Sequence, residues 1–180
     1  MTLENIGLSL GNICESAVYG TLNGLKPKKI DGYKTCPFDL CISNVNGIIE
    51  CLNTDFKDFC NPKYFKHDTN TQIIRHTLYN FSFNHEAPFH ADIYIKEKWP
   101  GGPYHFTNNN FKKLCERYYS RIQNFHNYCN GNYFVTFILQ FQYDIYSDEI
   151  INKLNEAIKK RYPNLQYKIK LIEKNLYNLN

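Results

Sequence analysis

The clearest signal in the chain is a nearly unbroken apolar run, Tyr133-Phe-Val-Thr-Phe-Ile-Leu-Gln-Phe141, rich in β-branched and aromatic residues. Such a run predicts a strand that is covered on both faces and lies in the middle of a sheet. Residues 165–171 instead have an apolar side chain at every second position. This alternation predicts a half-exposed strand near a sheet edge.

Helical spacing recurs in the intervals between the strands. Apolar residues repeat every three or four positions over 45–59, 111–125 and 151–158, as expected for helices with one buried face. Ser43 is predicted to cap the first of these helices, the next extends over about 109–128, and the last begins after Ser147 and stops at Pro163. A shorter helix is predicted from about Ile13 to Leu22. Residues 78–83 are predicted to form a strand that ends at Asn84-His85-Glu86.

Strands and helices therefore alternate along most of the chain. This order is typical of an α/β protein, and we predict a single three-layer domain over residues 1–180 with a mainly parallel sheet. Ligands of open α/β sheets bind beyond the carboxyl ends of the strands. Cys14, His85 and Asp144 each follow a predicted strand, so parallel strands would bring all three to one edge of the sheet.

Composition restricts the function classes. The net charge of +4 is too small to indicate nucleic-acid binding, and no apolar run is long enough to cross a membrane. Seven cysteines at irregular spacing do not resemble a disulfide framework, and no signal peptide is recognisable. We therefore expect free thiols and a cytoplasmic location, in a host cell if the protein is viral.

Cys14 is the candidate nucleophile. Gly11 permits a tight turn after the first apolar run, and Asn12 with Glu15 three residues later forms a capping-box pattern. The pattern places Cys14 in the first turn of a helix, where unpaired amides favour a thiolate. The amides of Ile13 and Cys14 are candidates for an oxyanion hole, and Gly11 and Asn12 are, with Ile13, candidates to contact the bound ligand. A small buried cysteine packed against the helix is the alternative.

A cysteine nucleophile needs a base and a group that orients the base. His85 is the best-placed histidine because it ends a strand and begins a long loop, and His90 is second. Asp39 and Asp144 are the main candidates for the orienting group, with Asn84 and Glu86 as weaker ones.

Metal and cofactor sites are not indicated. The cysteines and histidine in the segment 36–67 lack the paired spacing of structural zinc sites. Two basic groups are predicted to be solvated: the Lys26-Pro-Lys-Lys29 loop, and the helix face that carries Arg117 and Arg121. A basic residue of that face is, as the alternative, a candidate to hold an anionic ligand.

Several short motifs occur in an order that carries a resemblance. They are Ser9-Leu-Gly-Asn12-x-Cys14-x-x-Ala17, Pro37-Phe38-Asp39, Asp55-Phe-x-x-Phe59, a strand ending in His85, and Tyr119-x-Arg121-Ile122. Over roughly residues 7–141 this order resembles the family of putative papain-like cysteine peptidases of bacteria and large DNA viruses.

The resemblance implies that Cys14 is the nucleophile and His85 its base, and that Asp39 either orients the histidine or fixes its loop. Glu86 stands where the family pattern has Asp, and Leu40 where it has Trp. A papain-like fold would be α+β, with the nucleophile helix against an antiparallel sheet. That fold is the alternative to the parallel sheet favoured by the order of the elements.

The expected function is that of a cysteine-dependent hydrolase or acyl transferase, acting on a peptide, an isopeptide or another acyl compound without a cofactor. One alternative is a non-catalytic binding protein that engages a protein partner, of the host if it is viral, through the loop 87–107. This loop holds the only Trp, three of the seven Pro, and Gly101 and Gly102, a composition that suits a lid or wall of a site. A small-ligand or glycan-modifying role at the same site is a further alternative.

Overall fold

The computed structural model of the protein describes residues 2–92, 99–140 and 147–172. Its strands and helices, in chain order, are β1 (Glu4–Ser9), α1 (Glu15–Leu22), α2 (Val45–Asn53), β2 (Phe65–Asp68), β3 (Ile73–His76), β4 (Phe81–Ser82), α3 (Asn108–Asn130), β5 (Tyr133–Gln140), α4 (Asp148–Arg161) and β6 (Gln166–Ile172). Short 3₁₀ turns lie at Lys29–Asp31, Pro62–Tyr64, Asn84–Glu86, Pro88–His90 and Gly102–Tyr104.

A parallel sheet with the order β1-β5-β6 supports the first part of the chain. Ile6 pairs with Val135 on one side of β5, and Val135 pairs with Tyr167 on the other. The apolar run therefore forms the central strand and the alternating segment an edge strand, as the sequence predicts. Helix α1 contacts β1 and β5, so the cysteine-bearing helix packs on parallel strands rather than on the antiparallel sheet that a papain-like fold implies.

The middle of the chain forms a second, antiparallel sheet with the order β2-β3-β4. The strand predicted over 78–83 is reduced to Phe81–Ser82. Residues 77–80 form a turn after β3 instead, with Asn80 at φ +55°. His85 thus follows an antiparallel strand, and the prediction that it shares the carboxyl edge of one parallel sheet with Cys14 is wrong.

Helix starts follow the sequence with small shifts. Ser147 caps α4, where its hydroxyl accepts from the Ile150 amide (3.3 Å). Asn44, not Ser43, caps α2: its side chain accepts from the Gly47 amide (2.8 Å). Ser43 does not cap because its hydroxyl is engaged with the turn after β1.

Aromatic side chains join the two sheets through one buried cluster. The Phe38 ring lies 5.9 Å from that of Phe56, 6.0 Å from Phe81 and 5.9 Å from Phe125, between ring centroids. The Pro-Phe-Asp motif therefore carries a central core residue next to its acidic one. Buried residues of both sheets belong to this same core.

The Asp55-Phe-x-x-Phe59 motif has a structural role in the described fold. Phe56 and Phe59 are buried in the core. Asp55 accepts a hydrogen bond from Arg161 Nε (2.6 Å) and lies 3.5 Å from His126 Nε2. The motif thus ties the end of α2 to α3 and α4.

The molecule is broadly α/β, with a parallel and an antiparallel sheet. Its arrangement in three layers stays a prediction. Among the helices of the described residues, none has both the length and the apolar character that crossing a bilayer requires.

Candidate functional site

Hydrogen bonds to two serine side chains hold the turn between β1 and α1. The amide of Gly11 donates to Ser9 Oγ (2.9 Å), and the amide of Asn12 donates to Ser43 Oγ (2.9 Å). The Ser43 amide donates in return to the Asn12 carbonyl (3.1 Å). Gly11 and Asn12 have φ values of +82° and +74°, in the left-handed region that glycine and asparagine tolerate best. This turn fixes the backbone that leads into Cys14.

Cys14 occupies the N-cap position, one residue before α1 begins at Glu15. The prediction that Asn12 caps this helix is therefore wrong, since the backbone of Asn12 is bound to Ser43. The predicted capping box is also wrong. The Glu15 carboxylate accepts a hydrogen bond from Gln140 Nε2 at the end of β5, which links the start of α1 to the central strand.

Burial raises the pKa of the Cys14 thiol. Its own backbone amide acts in the opposite direction, and the negative charge of Glu15 raises the pKa further. Loss of water around the sulfur therefore outweighs the helix-start amides that the sequence analysis relies on. The raised pKa favours the neutral thiol at pH 7 over the preformed thiolate expected from the position of Cys14.

The four amides of this turn differ in their hydrogen-bond partners. Gly11 and Asn12 donate to serine hydroxyls, whereas in the described structure the Ile13 and Cys14 amides donate to no other residue. Unpaired amides beside a nucleophile are the donor type that an oxyanion hole uses. Gly11 and Asn12 thus support the turn, while Ile13 and Cys14 supply the available donors.

His85 lies in the 3₁₀ turn Asn84–Glu86, directly after β4. Burial lowers its pKa; the Glu86 carboxylate opposes this shift, and His90 and Arg121 add to it. The imidazole is therefore neutral at pH 7, which is the form that accepts a proton. The His90 ring is stacked on it at 5.7 Å between centroids, so the second-choice histidine neighbours the first.

Cys14, Asp39 and His85 line one pocket of about 420 Å³. Three of the four predicted catalytic residues are thus brought together, although they come from three separate parts of the chain. The rest of the lining combines apolar residues, three lysines and three hydroxyl residues: Ala17, Val18, Leu22, Pro27 and Leu40; Lys26, Lys28 and Lys29; Thr21, Tyr33 and Thr35. The fourth predicted residue, Asp144, lies outside the described residues.

Asp39 is buried and accepts from three donors. Tyr33 OH lies 3.0 Å and the Cys36 amide 2.8 Å from Oδ2, while Lys26 Nζ lies 3.4 Å from Oδ1. These contacts close the loop between residues 26 and 39. The family resemblance leaves two roles open for Asp39, to orient His85 or to fix its loop. These contacts support the second role. They also correct the view of Lys26 as a solvated residue, since its side chain is only 9% exposed.

A second pocket of about 320 Å³ adjoins the first and shares Lys29, Leu40 and His85 with it. Glu86, Trp99, Arg117 and Arg121 complete its lining. Glu86 is fully buried, with Oε1 at 2.8 Å from Arg121 Nη1 and 3.2 Å from Arg117 Nη1. Tyr118 OH donates to the other carboxylate oxygen (3.2 Å).

Sequence reasoning assigned Arg117 and Arg121 to a solvated face, which is wrong. Arg121 is 8% exposed and pairs with Glu86. A signal was present, because Arg121 stands seven residues after Leu114 and three after Tyr118, on the predicted apolar stripe. A charge on a buried stripe needs a partner, and Glu86 beside the candidate base is that partner. Position 86 thus keeps the acidic character of the family pattern.

The cysteines are free, and three of the four in the segment 36–67 are buried. Within residues 2–92, 99–140 and 147–172, no group of three or more His, Cys, Asp or Glu is arranged to hold a metal ion.

A cysteine at the start of a helix thus lines the same pocket as a histidine. The sequence matches the family described as putative papain-like cysteine peptidase over residues 6–175. The chain belongs to this family. Comparison with curated proteins finds no match, and comparison with solved structures finds none either.

Proposed function

We propose that the protein is a cysteine-dependent hydrolase or acyl transferase whose substrate is a peptide or another acyl compound. The observation that carries this proposal is the shared pocket of Cys14 and His85. Membership of the peptidase family supports it independently.

In the proposed reaction, Cys14 Sγ attacks the substrate carbonyl while its proton passes to His85. The amides of Ile13 and Cys14 bind the resulting oxyanion. As the carbon–heteroatom bond breaks, His85 returns the proton to the leaving group and a thioester remains on Cys14. Water, or a second acceptor in a transferase, then attacks the thioester with His85 again taking the proton, and the thiol is regenerated. Of the two candidates to orient His85, Asp144 is proposed for this role, because the contacts of Asp39 support the fixing of its own loop.

Protonation states decide how the first step proceeds. Burial raises the Cys14 pKa and lowers the His85 pKa, so a thiolate–imidazolium pair is disfavoured before substrate binds. Proton transfer is therefore coupled to attack on the carbonyl, as with a serine nucleophile. His85 must be neutral for this step. Its lowered pKa keeps the base form dominant at pH 7, and acylation should decline only at a pH below the usual range of a histidine pKa.

Acylation by p-nitrophenyl acetate tests the proposal. We expect one equivalent of nitrophenolate to be released rapidly and one acetyl group to appear on Cys14 by mass spectrometry. Cys14→Ser should abolish this labelling. His85→Ala should slow it about 100-fold or more at pH 7, since general-base catalysis contributes on that order.

Two variants serve as matched controls for acylation. Cys115 is another half-buried cysteine whose pKa burial raises, so Cys115→Ser should leave the acetylation of Cys14 unchanged. His67 lines neither pocket, and His67→Ala should also have no effect. Equal rates for His85→Ala and His67→Ala would contradict the proposed role of His85.

A protein-binding role remains the second candidate, on the evidence of two exposed aromatic residues. Phe89 is 65% and Tyr104 46% exposed, and the 3₁₀ turns that carry them are in contact. Trp99 and Phe106 of the same loop are buried and so are not available to a partner. Failure of Cys14 to acylate, with binding of a protein partner lost in Phe89→Ser, would favour this role.

The cellular location also stays a proposal. All seven cysteines are free, which supports a reducing compartment such as the cytoplasm.

A further inference from the structure

We propose that the second pocket, lined by Lys29, His85, Glu86, Arg117 and Arg121, binds a carboxylate or phosphate group of the substrate. The inference rests on the proposed function, because it assigns to the substrate an anionic group next to its acyl carbon. It makes the substrate class an acyl compound with an apolar part and an anionic part.

The lining of the second pocket has a surplus of positive charge. One guanidinium suffices to neutralise the buried Glu86, but both Arg117 and Arg121 contact its Oε1. Two guanidinium groups of the described lining thus face a single carboxylate. These three side chains together have a net charge of +1, and such a surplus in a partly desolvated cavity favours an anion.

The two arginines also have N–H donors that Glu86 does not use. Arg121 Nη1 is buried and lies 2.8 Å from Glu86 Oε1, yet at an angle that makes no hydrogen bond within the described structure. Arg117 is held with its guanidinium 4.2 Å over the Phe106 ring and its side chain 35% exposed. Two fixed guanidinium groups present more N–H donors than one carboxylate accepts. Planar guanidinium groups bind carboxylate and phosphate oxygens in pairs.

The position of the pocket links it to the proposed chemistry. His85, Leu40 and Lys29 line both cavities, so a ligand in the second pocket adjoins the cysteine pocket. The cysteine pocket has an apolar wall that includes Ala17, Val18 and Leu22. A substrate that spans both pockets would place its apolar part against α1 and its anionic group beside α3.

Titration with inorganic phosphate and, separately, with acetate tests the proposal. The ring signals of His85 are followed by NMR in the Cys14→Ser protein, at low ionic strength to limit screening. His85→Ala identifies the signals. We expect a saturable shift of these signals with at least one of the anions. The tighter of the two probes identifies the group as a phosphate or a carboxylate.

Charge variants decide whether the shift reports this pocket. Arg117→Gln should weaken binding about tenfold, the loss of one charge-assisted hydrogen bond, and Arg117→Lys should weaken it less. Arg75→Gln is the matched control, because it removes the same charge from an exposed arginine on β3. Equal weakening by Arg75→Gln and Arg117→Gln, or no saturable shift with either anion, would overturn the proposal.

Lys29→Gln provides a second variant on an exposed turn, where folding is not at risk. It should weaken anion binding while the circular dichroism spectrum stays unchanged, and unchanged affinity would count against the proposal. Because these titrations need no thiol, they are independent of acylation. Anion binding without acylation of Cys14 would refute the hydrolase proposal alone, and acylation without anion binding would refute the second pocket alone.

Discussion

At the scale of single residues, Gly11 shows how tightly the turn before Cys14 is specified. A Cβ at this position would lie 2.0 Å from Ser43 Oγ, the group that accepts the Asn12 amide. The turn therefore excludes a side chain both by its left-handed dihedral angle and by contact.

We predict that Gly11→Ala destabilises the protein by about 1–3 kcal/mol and slows acylation of Cys14, because the strained residue and the displaced serine distort the turn. Gly24 is a suitable control: its φ is +67° but nothing lies within 4 Å of its Cβ position. Gly24→Ala should cost about 1 kcal/mol and leave acylation unchanged. Urea denaturation gives the stabilities, and equal costs for the two variants would contradict the role of the Ser43 contact.

The candidate site was partly predictable at this scale. Cys14, Asp39 and His85 were found because glycine turns, loops and family motifs mark them in the sequence. The protonation state of Cys14 was not, because the helix-start signal is local whereas burial depends on the whole fold. Glu86 and Arg121 are 35 positions apart in the sequence, and only the structure shows that they form a buried pair.

At the scale of elements, the side chain of Asn44 links α2 to the turn before β4 of the antiparallel sheet by hydrogen bonds. Its Oδ1 accepts from the Gly47 amide, and its Nδ2 donates to the carbonyls of Tyr79 (2.9 Å) and Asn80 (3.1 Å). One side chain thus caps a helix and holds the turn before β4. These bonds explain why Asn44, rather than Ser43, is the N-cap of α2.

We predict that Asn44→Ala lowers the free energy of unfolding by about 2 kcal/mol, more than an ordinary cap. Ser147→Ala is the matched control, since Ser147 caps α4 by a single hydrogen bond and its loss should cost about 1 kcal/mol. Chemical denaturation of both variants measures the difference. A cost for Asn44→Ala no greater than that for Ser147→Ala would show that the bonds to residues 79 and 80 contribute nothing.

Element types were easier to predict than pairings. Long segments are recognisable because many residues agree: α3 repeats one helical period, and β5 is a nearly unbroken apolar run. The strand predicted over 78–83 is too long because aromatic residues of this segment pack into the core from a turn rather than from a strand. Tyr79, for example, stacks on His76 at 4.7 Å between ring centroids.

At the scale of the whole molecule, His76 couples stability to pH. It is buried at the end of β3, its Nδ1 accepts from the Tyr79 amide (3.3 Å), and its Nε2 lies 3.3 Å from the Asp58 carbonyl. This pattern fits the neutral ring with a proton on Nε2. Burial lowers the His76 pKa to about 4.

We predict that the free energy of unfolding falls by about 3 kcal/mol between pH 6.5 and pH 4. The unfolded chain binds a proton at His76 near pH 6.5 while the folded protein does not until about pH 4, so acid favours the unfolded state over that interval. Urea denaturation across this range measures the slope. His76→Gln, which keeps a donor and an acceptor but does not titrate, should flatten it, and an unchanged slope would exclude His76 as the cause.

The α/β class was predictable from the order of the elements, but the division into two sheets was not. A mainly parallel sheet is predicted from the sequence, whereas the short strands β2 to β4 pair as antiparallel neighbours, and β2 and β3 are not predicted at all. Short strands carry too few residues to show which neighbour they bind. The meeting of Cys14 and His85 therefore depends on contact between sheets rather than on a common edge.

The pairing of β1 with β5 has a consequence for synthesis on the ribosome. In the described sheet, β1 pairs with β5 alone, and the register joins Glu4 to Tyr133. Contacts so distant in sequence form slowly and require most of the chain. Residues 4–9 emerge long before residue 133 and lack their partner strand until it has followed. The strand that leads into the Cys14 turn is thus paired late, after the segment that contributes His85 has already been made.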